Sequence, residues 1–355
     1  MKHFFLKFFI IFSWILLIFG MLLIPKIDLK KSYNDRSIDV FVWGDYFESK
    51  TIKKFEELNN IKVNLHYYSS NEEMMLKLRA HKGSGYDLVV PSDYAVQILI
   101  KENLLQPMDY SKINFLHKIS PILLDHNFDP KNKYSLPNMW EVYGIGYDSE
   151  QLKEIDLKPT LGHFFDKNLI SYKFSMTPDP VEAIVFASCY LYGRINQLSA
   201  QQALEVKNLL IEQKPFVEAY ADYRAKYLMQ TKNCPIAVIR SSLLFYIAQE
   251  NPHMQFVIPD EATITTIENV AIPVGCKKQE MVYKFLNFIY EDEPHASQLD
   301  ICPLFPAVKS SLDYTDEVKE FYDTYEKAIK KDNLYFFRYL IPEEEIRDMW
   351  VEIKN

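Results

Sequence analysis

Residues 86–104 read YDLVVPSDYAVQILIKENL and hold a strand-like run followed by a helix-like stretch. The apolar run Leu88 to Val90 is interrupted by Pro91, and amphipathic sequence follows. A short apolar run that ends at a proline is typical of a buried strand. The stretch therefore predicts a buried strand that passes directly into a helix.

Two similar strand–helix pairs precede this unit: IDVFVW (38–43) with SKTIKKFEELNN (49–60), and IKVNLHYY (61–68) with SNEEMMLKLRAH (70–81). In the first helix, we expect Ile52, Phe55 and Leu58 to face the core. Ser70 and Glu73 have the spacing of a capping box at the start of the second helix. The resulting βαβαβα pattern predicts parallel strands with right-handed crossovers.

A second set of strands and helices follows, with no linker rich in Gly, Pro or Ser. The strand-like stretches are LISYKFSM (169–176), PIAVIR (235–240), MQFVIP (254–259) and NVAIP (269–273), and helices are predicted at 180–193, 199–213, 241–250, 280–290, 316–329 and 342–353. Alternating strands and helices indicate an α/β fold. Two sets in 355 residues predict two lobes, joined by direct chain crossings, with a ligand between them.

The N-terminal segment predicts export. Lys2 and Lys7 precede an apolar run of 17 uncharged residues, Phe8 to Ile24, which is at the lower limit for a membrane span and slightly long for the hydrophobic region of a signal peptide. We expect residues 1–30 to be a signal peptide or an uncleaved membrane anchor; a core helix is a third alternative. Basic residues at the start place the remaining chain in the periplasm or on the outer face of the cytoplasmic membrane.

Composition and motifs narrow the function classes. The net charge is −8, and because residues 1–36 carry +4, the rest carries −12. Such an acidic domain is a poor binder of nucleic acid and a plausible host for cations. The sequence lacks the common nucleotide-binding, zinc-protease and serine-hydrolase motifs, and its eight His show no metal-ligand spacing. We expect no metal, no cofactor and no enzymatic activity, although dispersed catalytic residues remain an alternative.

The cysteines do not form a recognisable motif. Cys189, Cys234, Cys276 and Cys302 have no CxxC spacing, which argues against a zinc knuckle or a thioredoxin motif. In an oxidising compartment they would form up to two disulfides, and Cys189 and Cys276 also suit small core positions. Their pairing stays open at this point.

Polar and aromatic side chains follow three of the predicted strands, where an open α/β sheet binds its ligands. They are Trp43 and Tyr46 after the first strand, Ser92 and Tyr94 after the third, and Asp179 and Glu182 after the first strand of the second set. Structural roles are also open: Ser92 and Asp179 suit helix N-caps, Glu182 suits a helix dipole, and the tyrosines suit surface packing. Asp45 we expect to point outward or to fix its loop.

The segments WGDYF, SNEEMMLKL, GYDLVVPSDYAV, YSLPNMWEVYGIGYD and TPDPVEA resemble, in order and spacing, the spermidine/putrescine-binding proteins of bacterial ABC transporters. The resemblance covers residues 38–355. It implies a two-lobed periplasmic-binding-protein fold of the type II kind. Lobe 1 would comprise residues 38–140 plus about 266–308, and lobe 2 about 141–265 plus 309–355.

The resemblance also implies a ligand site. Trp43, Tyr46, Ser92, Tyr94, Asp179 and Glu182 match the family's ligand-binding residues, and Glu268 stands where the family usually has Asp. Three aromatic positions differ: Arg240 and Thr266 replace tryptophans, Thr266 in a loop before the AIP strand, and Pro303 lies near an expected tyrosine. Arg240 would pair with Asp179, Glu182 or Glu268, or select a ligand that carries an acid group, or lie on the surface.

The function implied is capture of a polyamine and its delivery to an ABC transporter permease. We expect a monomer whose partners are the polyamine, the permease and, through residues 1–30, the membrane. The alternatives are a related binding protein for another amine, amino acid or organic ligand, and an enzyme on the same fold. A nucleophilic Cys with a neighbouring His would favour the enzyme.

Overall fold

The computed structural model describes residues 36–155, 157–221, 224–326 and 329–355, and before them only Trp14. The predicted signal peptide or anchor therefore lies outside the described residues. In the part of the chain that is described, no helix has the length and apolarity that crossing a membrane requires.

The described residues form one large mixed sheet with helices packed around it. The strands are β1 Ser37–Trp43, β2 Lys62–Tyr68, β3 Leu88–Val89, β4 Ser135–Asp148, β5 Phe174–Met176, β6 Val217–Tyr220, β7 Ile236–Arg240, β8 Met254–Val257, β9 Thr263–Ala271, β10 Phe305–Pro306 and β11 Leu334–Phe336. The helices are α1 Ser49–Asn59, α2 Asn71–Ala80, α3 Asp93–Lys101, α4 Gly162–Phe165, α5 Pro180–Tyr192, α6 Ala200–Gln213, α7 Arg224–Gln230, α8 Ser241–Glu250, α9 Gln279–Ile289, α10 Asp292–Ala296, α11 Asp316–Glu326 and α12 Glu343–Lys354.

The strand order is β2-β1-β3-β9-β4-β7-β5-β6, with β8 and β10 paired to β4 and β11 paired to β9. β1 lies parallel to β2 and β3, as the βαβαβα pattern predicts. β5 likewise lies parallel to β6 and β7. Between these two parallel groups, β9 and β4 run antiparallel to each other, β9 runs antiparallel to β3, and β4 runs antiparallel to β7. The α/β two-lobed architecture is therefore built from two parallel groups that share a pair of central strands.

The long strand β4 connects the two groups, and the sequence did not predict it as a strand. Its first half pairs with β9, and its second half pairs with β7 and β8. Almost every one of its 14 residues is buried, so no alternation of polar and apolar residues marks it. A Cβ on Gly144 would come within 2.6 Å of the Phe256 ring, which explains a glycine inside the strand.

Two hydrophobic clusters lie on the two sides of this crossing. The first contains Phe41, Phe55 and Phe285 and extends to Tyr322 of α11. The second contains Phe164, Phe174, Phe186, Ile264 and Phe337. Tyr94 packs against both clusters, so α3 begins at the boundary between them.

Several local predictions were wrong. Ile52 and Phe55 are buried as expected, but Leu58 is 68% exposed in the last turn of α1, beside the left-handed Asn60. In β2, the alternation of Ile61, Val63, Leu65 and Tyr67 with polar residues predicts that these four side chains face the core. The pattern breaks at the strand end, where Tyr68 is buried and Tyr67 is 56% exposed. Local periodicity does not predict which side chains at the end of a helix or strand are exposed to solvent.

Two further predictions, the loop position of Thr266 and the capping box of α2, also differ from the structure. Thr266 lies inside β9, opposite Glu141 of β4, and not in a loop before the AIP strand. The capping box at α2 is only half formed: Ser70 accepts from the Glu73 amide, whereas the Glu73 carboxylate accepts from the backbone N–H of Ser69.

The four cysteines are free thiols. Cys189, Cys234 and Cys276 are buried and Cys302 is partly buried. Burial raises the pKa of each thiol, to about 12 for Cys189 and Cys302 and to about 11 for Cys234 and Cys276. A raised pKa disfavours the thiolate, which is the nucleophilic form of cysteine.

Candidate ligand-binding site

Glu268 of β9 is a buried acidic residue at the boundary between the two clusters, and both of its carboxylate oxygens are hydrogen-bonded. Its Oε2 accepts a hydrogen bond of 2.7 Å from Trp43 Nε1, and its Oε1 accepts one of 2.9 Å from Ser92 Oγ. The residue is only 8% exposed. Three predicted site residues, from β1, the start of α3 and β9, therefore meet at one carboxylate.

Ser92 reaches this carboxylate because it does not cap its helix. It occupies the N-cap position of α3 without a side-chain cap hydrogen bond. Its hydroxyl instead accepts from Asn71 Nδ2 at 3.1 Å while donating to Glu268. The buried Asp93 fixes the helix start, since its carboxylate accepts from the backbone N–H of Tyr94 and of Ile267.

Asp179 caps its helix, which is the structural role that the sequence left open for it. Its Oδ1 accepts from the backbone N–H groups of Val181 and Glu182, at 2.7 and 3.1 Å, at the start of α5. This carboxylate is nevertheless mostly buried, and burial raises its pKa, with the nearby charge of Glu72 acting in the same direction. Capping and ligand contact are compatible, because a carboxylate has several acceptor positions.

Glu182 lies one turn further along α5 and is held by two hydroxyl groups. Tyr143 donates to its Oε1 at 2.6 Å, and Thr177 donates to its Oε2. Burial raises the pKa of Glu182 to about 7, and the neighbouring Asp179 carboxylate contributes to the shift. A favourable helix dipole alone does not explain this arrangement, because both oxygens have side-chain partners.

Arg240 faces the site and is not a simple surface residue. It lies at the end of β7, and its guanidinium carbon is 5.6 Å from the centroid of the Tyr143 ring. Its Nη1 lies 3.7 Å from Glu141 Oε1, and the side chain is 26% exposed. Among the described residues, Arg240 thus forms an ion pair with Glu141 and not with one of the three predicted carboxylates.

The two predicted tyrosines take different positions. Tyr46 is 3% exposed, and its hydroxyl accepts from Asn138 Nδ2 at 2.8 Å, so it packs in the first cluster behind the site. Tyr94 is half-buried, and its hydroxyl donates to Glu72 at 2.9 Å, with its ring 6.0 Å from that of Tyr339. Asp45 is exposed in a left-handed backbone conformation, as expected for a loop residue that points outward.

Sequence reasoning missed Glu141, Glu72, Tyr143, Tyr339 and Tyr68. Glu141 is the most informative omission, because it is 3% exposed and lies in the middle of a buried strand whose other charged residue, Asp148, stands at the strand end. A lone carboxylate inside a buried strand is itself a signal of a partner or a ligand. Glu72 lies in the first turn of α2, and the Tyr68 ring packs at a tilt against Trp43 with ring centroids 4.5 Å apart.

The electrostatics of the site are dominated by crowded carboxylates. Burial raises the pKa of Glu268 to about 7, against the lowering effect of the Trp43 and Ser92 donors, and Glu141 adds repulsion. Arg240 lowers the pKa of Glu268, Glu182 and Asp179. Several buried acids around a single arginine leave an excess of negative charge, which favours a cation.

A small cavity lies beside Glu182. Tyr143, Thr177, Glu182 and Arg240 line it, and its volume is only about 10 Å³, which is about the volume that one water centre explores. This cavity alone is too small for an organic ligand, which would need space beyond it. Among the described residues, no group of three or more His, Cys, Asp or Glu side chains is placed to hold a metal ion.

Two α/β clusters, joined by long shared strands and with a polar site between them, define a two-lobed solute-binding protein. The family model described as bacterial extracellular solute-binding protein matches residues 50–327, and the chain belongs to this family.

Known relatives agree with this class. The spermidine/putrescine-binding periplasmic protein of Salmonella typhimurium is 31% identical over 261 residues, which cover 73% of each chain. The putrescine/cadaverine-binding protein of Pseudomonas aeruginosa is 28% identical over 270 residues, 73% of this chain and 76% of that protein. The PotD substrate-binding protein of a spermidine/putrescine ABC transporter from Streptococcus pneumoniae superposes with a TM-score of 0.76 at 25% identity, over 90% of this chain and 99% of that one. The predicted resemblance and fold class are confirmed.

Proposed function

We propose that this protein captures a polyamine between its two lobes and delivers it to an ABC transporter permease outside the cytoplasm. The observation that carries the proposal is the position of Glu268 beside the indole of Trp43, with the acidic pair Asp179 and Glu182 on the other cluster. A linear polyammonium ligand needs carboxylates at both ends and apolar surface between them. The relatives reported above, which are putrescine/cadaverine- and spermidine/putrescine-binding proteins, support the same ligand class.

The physical chemistry of the site suits such a ligand. An ammonium group over an indole face gains about 0.5 to 2 kcal/mol, depending on how far water is removed. Closure of the lobes removes that water and strengthens the attraction between ammonium and carboxylate. The raised pKa of Glu268 and of Glu182 reflects the cost of keeping these acids buried without enough cations, and a bound polyamine would relieve it.

The proposed role involves no chemistry on the ligand. The enzyme alternative called for a nucleophilic cysteine beside a histidine, whereas burial raises the pKa of all four thiols. We further propose that the protein acts as a monomer and that residues 1–30 direct its export or anchor it. The lobe boundaries near residues 140, 266 and 308 stay a prediction.

The direct test is isothermal titration calorimetry on the full-length protein in a mild detergent. The ligand panel comprises putrescine, cadaverine and spermidine. Amino acids and organic acids are titrated as well, because they represent the alternative ligand classes. We expect saturable binding of at least one polyamine and a rise in melting temperature through linkage. If millimolar polyamines give neither heat nor a thermal shift while another ligand does, the polyamine assignment is wrong.

A further inference from the structure

Arg240 is a cation built into the acidic site. Its backbone pairs with that of Tyr143, whose ring lies beneath the guanidinium and whose hydroxyl donates to Glu182. Arg240 and Glu182 line the same small cavity. The guanidinium therefore lies next to the predicted acidic residue of the second cluster.

The partner of Arg240 is a deeply buried acid. Glu141 lies 3.7 Å from the guanidinium, and its Oε2 accepts from Ser242 Oγ at 2.5 Å. Glu141 lies opposite Thr266, two residues before Glu268 on β9, so the two acids are diagonal neighbours on the sheet. Diagonal neighbours across antiparallel strands are typically about 7 to 8 Å apart.

The site therefore contains three acidic centres with different partners. Glu268 is held by the neutral donors Trp43 and Ser92, and Glu182, next to Asp179, is held by two hydroxyls. Among the described residues, no Lys, Arg or His nitrogen lies within ion-pair distance of Glu268, Glu182 or Asp179. Glu141, in contrast, has the guanidinium of Arg240 3.7 Å away.

Resting on the proposed function, we infer that Arg240 substitutes for one ammonium group of the ligand, so that the site selects a diamine over a triamine. One ammonium group of a diamine would pair with the Glu268 centre and the other with the Asp179/Glu182 centre. The additional ammonium of a triamine would lie beside the guanidinium of Arg240, and two like charges at close range repel.

The same charges argue against a ligand that carries an acid group. A ligand carboxylate would have to reach Arg240 among Glu141, Glu182 and Glu268. Each of these acids would oppose it, because a single guanidinium does not balance three neighbouring carboxylates. Arg240 therefore reduces the number of ammonium groups that the site accepts, without reversing its preference for cations.

The test compares putrescine and spermidine by calorimetry on the full-length wild type and on variants. We expect the wild type to bind putrescine about tenfold more tightly than spermidine, and Arg240→Gln to reduce that ratio about tenfold by exposing Glu141 to the ligand. Arg240→Lys keeps the charge and should keep the ratio. Glu141→Gln combined with Arg240→Gln removes both the repelling guanidinium and the attracting acid, so its ratio should lie between those of the wild type and of Arg240→Gln.

The control is Arg79→Gln, which removes an arginine paired with Glu102 on an exposed surface. This variant should leave both affinities unchanged. The inference is overturned if the wild type prefers spermidine. It is also overturned if Arg240→Gln melts normally but changes both affinities equally. Either result leaves polyamine capture intact. If neither amine binds the wild type, the proposed function itself is wrong and the inference falls with it. If Arg240→Gln does not fold, the wild-type ratio and the double variant decide.

Discussion

The indole N–H of Trp43 and the carboxylate of Glu268 form a 2.7 Å hydrogen bond across 225 residues of sequence. The two residues belong to β1 and β9, which are separated in the sheet by β3. The bond fixes the edge of the indole against the acid, so the ring face and the carboxylate form one rigid unit. A ligand ammonium that approaches the acid would then meet an aromatic wall already in place.

Replacing Trp43 by Ala should weaken putrescine binding by about 2- to 30-fold, the range expected for loss of a cation–π contact of about 0.5 to 2 kcal/mol. Trp43→Phe keeps an aromatic face but removes the donor to Glu268, and its loss should be smaller. Calorimetry at one pH measures both. Equal affinities for wild type and Trp43→Ala would contradict a role for the indole.

A matched control for this comparison is Tyr314→Ala. Tyr314 is an exposed aromatic, 59% accessible, outside the proposed site. Its removal should leave the affinity for putrescine unchanged. A loss as large as that of Trp43→Ala would mean that aromatic deletions act through general stability.

Polyamine affinity should rise with pH between about 6 and 8. Glu268 and Glu182 each have a pKa raised to about 7 in the unliganded protein, first of all by burial, and an ammonium ligand prefers the ionised acids. Ionisation of one such group across this range favours binding by about tenfold. Calorimetry at several pH values, in buffers of different ionisation enthalpy, would also detect the released protons. An affinity independent of pH would exclude these carboxylates as ligand contacts.

The unliganded protein should lose stability as the pH rises through the pKa values of Glu268 and Glu182. For Glu268 the folded pKa of about 7 lies above the ordinary value of 4.5, so the folded state binds more protons between these values. Its contribution is complete below about pH 4.5 and is lost as pH rises through about 7, an effect on the order of 3 kcal/mol. Denaturant unfolding of Glu268→Gln should show a flatter pH dependence. A slope equal to that of the wild type would contradict the burial of a titrating acid there.

The sequence allowed the first βαβαβα unit to be predicted because its strands and helices have distinct local patterns. β1, α1, β2, α2, β3 and α3 all lie where periodicity placed them. β4 was missed because burial on both faces removes alternation, and Thr266 was misplaced because β9 begins at Thr263, before the predicted strand. Strands that are shared between two clusters are defined by tertiary pairing more than by local sequence.

The site was predictable to a similar degree. Strand ends indicated Trp43, Ser92, Asp179 and Glu182, but not which partner each residue would take. Ser92 illustrates the limit, since both a cap and a carboxylate contact suit a serine before a helix, and Asn71 and Glu268 decided between them. Such choices depend on residues that are distant in sequence.

Ser92→Ala should destabilise the protein by about 1 to 3 kcal/mol, because it leaves a buried carboxylate and a buried amide each without one partner. The reason differs from loss of a helix cap, since the Ser92 side chain makes no cap bond. Ser92→Thr keeps the hydroxyl and should recover most of the loss. Thermal and denaturant unfolding measure the difference, and an unchanged stability of Ser92→Ala would contradict the hydrogen bonds assigned to it.

Asp179 allows helix capping and ligand contact to be separated. Asp179→Ala removes both and should cost about 1 kcal/mol of stability as well as affinity, because two backbone N–H groups at the start of α5 lose their acceptor. Asp179→Ser supplies another capping oxygen without the charge, so it should keep the stability yet still bind putrescine more weakly. Denaturant unfolding and calorimetry on the same samples separate the two effects. If Asp179→Ser binds as tightly as the wild type, Asp179 acts only as a cap, and the negative charge that meets the ligand on the second cluster belongs to Glu182 alone.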